Sequence, residues 1–74
     1  MAKKQATDGV YRVTEVIGTS AVSWEDAAKN AVAAASKTLR DLRIAEISKL
    51  DMKVEDGRVV AYRARILLSF KYDA

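Results

Sequence analysis

The chain contains no cysteine, no histidine and no proline. Without thiols no disulfide can staple it, and without thiols or imidazoles the zinc sites built on them are excluded. No segment approaches the roughly 20 apolar residues of a membrane span, and no signal-peptide apolar region is present, so no membrane partner and a cytoplasmic location are expected. The absence of proline, together with the lack of any linker, repeat or low-complexity run, points to one domain. Residues 1–8, MAKKQATD, are polar and aperiodic and read as a flexible lead-in, leaving 9–74 as the domain.

A chain of 74 residues buries only about 60% of its unfolded surface and is marginal by itself. Small domains compensate with disulfides, metals or oligomerisation. The first is excluded and the second is curtailed, and half of the residues are hydrophobic, so self-association is the remedy left. Thirteen basic and ten acidic residues give a net charge of +3, too weak to argue for nucleic acid.

The most strongly patterned stretch is residues 58–72, RVVAYRARILLSFKY. Val60, Tyr62, Ala64, Ile66, Leu68, Phe70 and Tyr72 form an apolar row at a spacing of two, the mark of a strand with one face covered. Fifteen residues at about 3.3 Å each run roughly 50 Å, whereas a compact chain of this length has a radius of gyration near 11 Å. The strand must bend sharply or extend past its own protomer. Earlier in the chain, VYRVTEVI at 10–17 reads as a strand with apolar character on both faces, and GTSAVS as a turn. Ser23 is a candidate helix N-cap, with Asp26 three residues on and Ser20 as a competitor. Trp24, Ala27, Ala28, Ala31, Ala35, Leu39 and Leu42 then recur at helical spacing, predicting one helix of about eighteen residues with Lys37, Arg40 and Arg43 near its C-terminus. An alanine-rich helix cannot cover three strands, which leaves apolar sheet surface for another copy. Residues 44–54 form a further strand whose alternation is broken at Glu46 and Ser48, as a bulge would do. Glu55-Asp56-Gly57 is a hairpin turn. The fold class is α+β, in the order β-α-β-β.

No catalytic set is present. Glu15, Glu46, Asp51 and Tyr62 sit in strand patterns, where solvated or ion-paired roles prevail, and enzymatic activity is not expected. Arg58, Arg63, Arg65 and Lys71 form a basic stripe that could hold phosphate or RNA, but pairing with Glu15 and Glu46 across the sheet is the preferred reading. Asp51, Glu55 and Asp56 could offer oxygen ligands to Ca²⁺, although they lack the spacing of an EF-hand loop. Trp24 reads as a core or interface anchor rather than a ligand-stacking ring.

VYRVTEVIGTS at 10–20, SWEDAAKNAV at 23–32, ASKTLRDLR at 35–43 and the strand from Tyr62 to Phe70 resemble the dodecins. The resemblance implies a three-stranded antiparallel sheet wrapped around one helix, and a hollow homododecamer of 23 symmetry. It also implies flavin (FMN or riboflavin) storage, with paired isoalloxazine rings stacked between tryptophans and held by a glutamine. This chain carries Ile44 at the tryptophan position, two residues before Glu46, and Arg63 at the glutamine position, with Arg65 beside it. Flavin binding is therefore expected to be weak or absent. The chain is similar to the branch without the tryptophan, which is associated with calcium. Partners expected are copies of itself and a small molecule or ion, with nucleic acid the outside alternative.

Overall fold

In the computed structural model, residues 9–71 are described. The elements are β1 (Tyr11–Ser20), α1 (Trp24–Ala35), β2 (Leu42–Glu55) and β3 (Arg58–Lys71). The expected β-α-β-β order holds, and the strands form one antiparallel sheet in the order β1-β3-β2. The lead-in expected at 1–8, and Tyr72 at the end of the apolar row, lie outside the described residues.

The strand expected at 10–17 runs on through Gly18, Thr19 and Ser20, residues read from sequence as a turn. Two contacts draw them in. Ser20 stands opposite Tyr62 and Gly18 opposite Ala64 in the β1–β3 ladder. A Cβ on Gly18 would collide with the Ala27 carbonyl and approach the Ala31 Cβ to 2.9 Å, so only glycine lets the helix backbone lie this close. The chain then turns through the Ser20 hydroxyl, which accepts from the Val22 N–H at 2.8 Å and donates to Asp26 Oδ2 at 2.7 Å. The cap itself belongs to Ser23, whose Oγ accepts from the Asp26 N–H at 3.0 Å.

The helix is shorter than expected. It stops at Ala35 after 12 residues, so Lys37, Arg40 and Arg43 lie beyond it and its last turn holds no basic residue. Ser36 explains the stop. Its hydroxyl donates to the Val32 carbonyl at 2.8 Å, and the amides of Thr38 and Leu39 both go to Ala35 O. Such local hydrogen bonds compete with the helical ladder, and Leu42 is claimed instead by β2, opposite Phe70. The expected interruption in β2 is present as a shift of register between Ile47 and Lys49, with further shifts at Leu42/Ile44 and Lys53/Val54. Asp56 and Gly57 close the hairpin with φ of 51° and 76°, the two positive values that a type I′ turn requires.

The apolar row of β3 is buried where the helix lies over it. Ala64, Ile66 and Leu68 join Ala27 and Ala31 in the core, with Val16, Val32, Leu39 and Leu42 packed around them. That cover reaches β1 and β3 and leaves β2 bare: nearly every β2 residue is exposed. β1 pairs with β3 only as far as Tyr62, so residues 58–61 and the facing part of β2 project as a two-stranded arm. The molecule measures 58 × 20 × 17 Å with a radius of gyration of 15.4 Å, against about 11 Å for a compact chain. Of the two alternatives, bend or extend, the strand extends.

Candidate ligand site

Side chains of directly opposed residues share a face of the sheet, which places every candidate. Ala64, Ile66 and Leu68 face the helix, so Arg63, Arg65, Leu67 and Ser69 face away. Ile44 stands opposite Ser69, Glu46 opposite Leu67, Lys49 opposite Arg65 and Asp51 opposite Arg63. Ile44, Glu46, Arg63 and Arg65 therefore all lie on the face turned from the helix. They do not converge. The row of Ile44 and the row of Arg63 are six β3 residues apart, about 20 Å along the strand. One protomer cannot bring Ile44 and Arg63 onto one small ligand.

Arg63 is already engaged. Its Nε donates to Asp51 Oδ1 at 2.7 Å and its Nη2 to Oδ2 at 2.8 Å. This bidentate pair uses the planar fork of the guanidinium. The hydrogen bond from Arg63 holds the Asp51 carboxyl below its ordinary value, with the nearby charges of Arg63 and Arg65 helping. In return, the same hydrogen bond raises Arg63. Arg65 Nη1 reaches Glu15 Oε2 at 3.5 Å. The cross-strand pairing expected for the arginines is thus correct for Glu15, while Asp51 rather than Glu46 serves Arg63. The ladder gives the reason: Asp51 lies directly across from Arg63, whereas Glu46 faces Leu67 beyond the bulge at Ser48.

The acidic trio does not gather either. Asp51 is tied to Arg63, Glu55 lies 3.4 Å from Lys53 Nζ, and Asp56 sits in the turn. Among the described residues no three acidic side chains come together to hold a metal ion. Trp24 anchors as expected, but on partners that helical spacing could not reveal. Its ring meets Tyr62 edge-on at 5.1 Å and 69°, and its Nε1 donates to the Asp51 carbonyl at 2.9 Å. The start of α1 is thereby fastened to the base of the arm.

Two concavities had no signal in the sequence, because each depends on how distant elements pack. The first lies on the helix side between α1 and β2, has a volume of about 330 Å³ and is lined by Ala28, Lys29, Val32, Ala33, Ala45, Ile47 and Ile66. The second mixes polar and apolar lining, with Arg12, Thr38, Leu39, Arg40, Asp41, Phe70 and Lys71 around it.

Comparison with known proteins places this geometry. The Dodecin family model matches residues 10–73. A calcium dodecin of Mycobacterium tuberculosis is 42% identical over 62 residues, spanning 84% of this chain and 87% of that protein. Among solved structures, dodecin from Streptomyces coelicolor superposes with a TM-score of 0.84 at 38% identity, covering 92% of this chain and 97% of the other. The Mycobacterium tuberculosis calcium dodecin, described as calcium chelating with a novel calcium-binding site, gives 0.76 at 42% identity, covering 86% and 91% of the two chains.

Proposed function

The chain belongs to the dodecin family, and we propose that it forms a hollow cytoplasmic shell of twelve copies with 23 symmetry that binds or sequesters a small ligand. The observation that carries this reading is the bare second strand. Ile47, Leu50 and Met52 are 49%, 49% and 45% exposed in one row on the helix-facing side. An apolar surface so continuous is a mark of an interface. The separation of Ile44 from Arg63 within a protomer supports the same reading, since a site using both positions needs more than one copy.

The flavin role of the family is weakened in this chain. Ile44 offers no aromatic face, and ring stacking is worth about 0.5–1.5 kcal/mol beyond burial. Arg63 donates only, whereas a glutamine amide both donates and accepts, and two of its donors are spent on Asp51. Titration of FMN or riboflavin should therefore show little quenching of flavin fluorescence. Ile44→Trp with Arg63→Gln should restore it. Tight quenching by the unaltered protein would overturn the weak-flavin reading.

Calcium is the second reading, favoured by the 42% identical calcium dodecin. Ca²⁺ takes six to eight oxygen ligands, and among the described residues of one protomer the carboxylates do not supply them together. The described residues of a single protomer do not fit the ion. Glu25, Glu46 and Asp56 make no ion pair among the described residues and are free to contribute across a subunit boundary.

A further inference from the structure

We propose that Lys49, Arg63 and Arg65 form a binding site for a phosphate-type oxyanion on the sheet face turned from the helix. The proposal rests on the small-ligand reading above and names the chemical class of that ligand. Lys49 stands directly opposite Arg65 in the β2–β3 ladder, and both side chains lie on this face. Opposed residues hold their Cβ atoms about 4.5–5.5 Å apart, where like charges destabilise a sheet. Arg63, two residues along β3, adds a further cation about 6.6 Å from Arg65. Cations set together in this way repel one another, and a bound anion would offset that repulsion.

The carboxylates nearby do not discharge the cluster. Asp51 takes Arg63 through Nε and Nη2, and Glu15 meets Arg65 through one contact of 3.5 Å. Lys49 makes no ion pair among the described residues, and neither Glu46 before it nor Asp51 after it comes within reach. The Asp51 carboxyl, lowered chiefly by the hydrogen bond from Arg63, also feels the charge of Arg65, so both arginines act on one place. A guanidinium carries five N–H donors and no acceptor. The hold of Asp51 on Nε and Nη2 fixes the plane of the Arg63 fork and leaves its other N–H groups for a ligand that only accepts. Phosphate oxygens are such acceptors and match the fork.

The backbone beneath is irregular at this row. The ladder shifts register between Ile47 and Lys49, and Ser48 in that bulge donates its hydroxyl to the Arg65 carbonyl at 3.2 Å. The irregularity is thereby tied to the pair that carries Lys49 and Arg65. Bulges are common beside functional sites, where they re-aim a side chain. Thr19, opposite Arg63 on β1, places a hydroxyl on the same face as a further donor. All of these residues belong to one protomer, so the site is complete without a second copy.

Isothermal titration calorimetry with inorganic phosphate tests the site at low ionic strength, where exposed charges are least screened. Sodium chloride at matched ionic strength is the blank. Saturable binding of a single phosphate per chain is expected, and none of chloride. Lys49→Glu sets a carboxylate opposite Arg65 and should weaken phosphate binding by about tenfold or more. The same variant should keep or raise the melting temperature, because the like-charge pair is gone. Lys49→Arg should retain binding. No saturable binding, or binding that Lys49→Glu leaves intact, overturns the proposal. So does loss on Arg40→Ala, which would move the phosphate to the concavity around Arg12, Arg40 and Lys71. Glycerol 3-phosphate as a second titrant separates the sources: tighter binding than inorganic phosphate assigns the site to a phosphate monoester, weaker binding to the free ion, and no binding of either sinks it. Native mass spectrometry of the same samples keeps this site apart from the assembly. Phosphate bound to a monomer supports the site and sinks the shell, whereas an intact shell that binds another small molecule and no phosphate sinks the site alone.

Discussion

Ile66 and Ile47 are the same residue type, face the same side of the sheet and stand directly opposite each other in the β2–β3 ladder. Ile66 is fully buried beneath the helix; Ile47, one strand further out, is half exposed. The same difference separates the two strands that flank β3. The second half of β1 is held against the helix through Val16, Gly18 and Ser20, whereas β2 meets the helix layer chiefly through Leu42 and the Trp24 bond to the Asp51 carbonyl and is otherwise exposed. A single 12-residue helix is wide enough for two strands of a twisted sheet and no more. The contrast teaches that this protomer contains one finished half and one half whose cover must come from outside.

The largest effect is expected in the finished half. Ile66→Ala removes methyl groups from a core of five residues and should cost about 2–5 kcal/mol, read by thermal or denaturant unfolding. Ile47→Ala is the matched control. For an isolated protomer, half-buried as it is, the cost should be roughly 1 kcal/mol. Within an assembly that covers β2 the cost should rise and become dependent on protein concentration, because binding that stabilises only the folded state adds to apparent stability. Equal costs at all concentrations would erase the contrast between the two strands. A smaller change tests how the finished half is locked. Ser23→Ala removes the acceptor for the Asp26 amide and should cost about 1 kcal/mol, with no effect on assembly mass.

The smallest effect concerns the outer face. Asp51 has its pKa lowered from 3.8, so its pairing with Arg63 favours folding above that value. The contribution is lost as the pH falls through the lowered folded value. The melting-temperature difference between the protein and Asp51→Asn should therefore be constant around neutrality and shrink below pH 4. A difference that instead changed between pH 6 and 8 would place the linkage elsewhere.

Much of this architecture is legible in the sequence where a single periodicity governs. The alternation in β3 marks Ala64, Ile66 and Leu68 as core, and the Ser23–Asp26 spacing marks the cap. Leu39 and Leu42 mislead, because helical spacing continues past Ala35 while the hydroxyl of Ser36 and the pull of β2 end the helix. Gly18 misleads in the other direction, since a glycine that admits a helix backbone reads the same as one that makes a turn. The candidate site was least legible. Which face Ile44 and Arg63 share, and their separation of about 20 Å, depend on ladder register and bulges. The Arg63–Asp51 pair and the bond from Trp24 to the Asp51 carbonyl join residues distant in the chain, and no local pattern encodes them.

The claim on which the rest depends is that other copies cover β2. Native mass spectrometry of the protein as purified tests it most directly, and reports any retained ligand in the same spectrum. The account predicts a species of about twelve chains, each of 8.1 kDa. A monomer as the sole species, stable and folded at micromolar concentration, would contradict it.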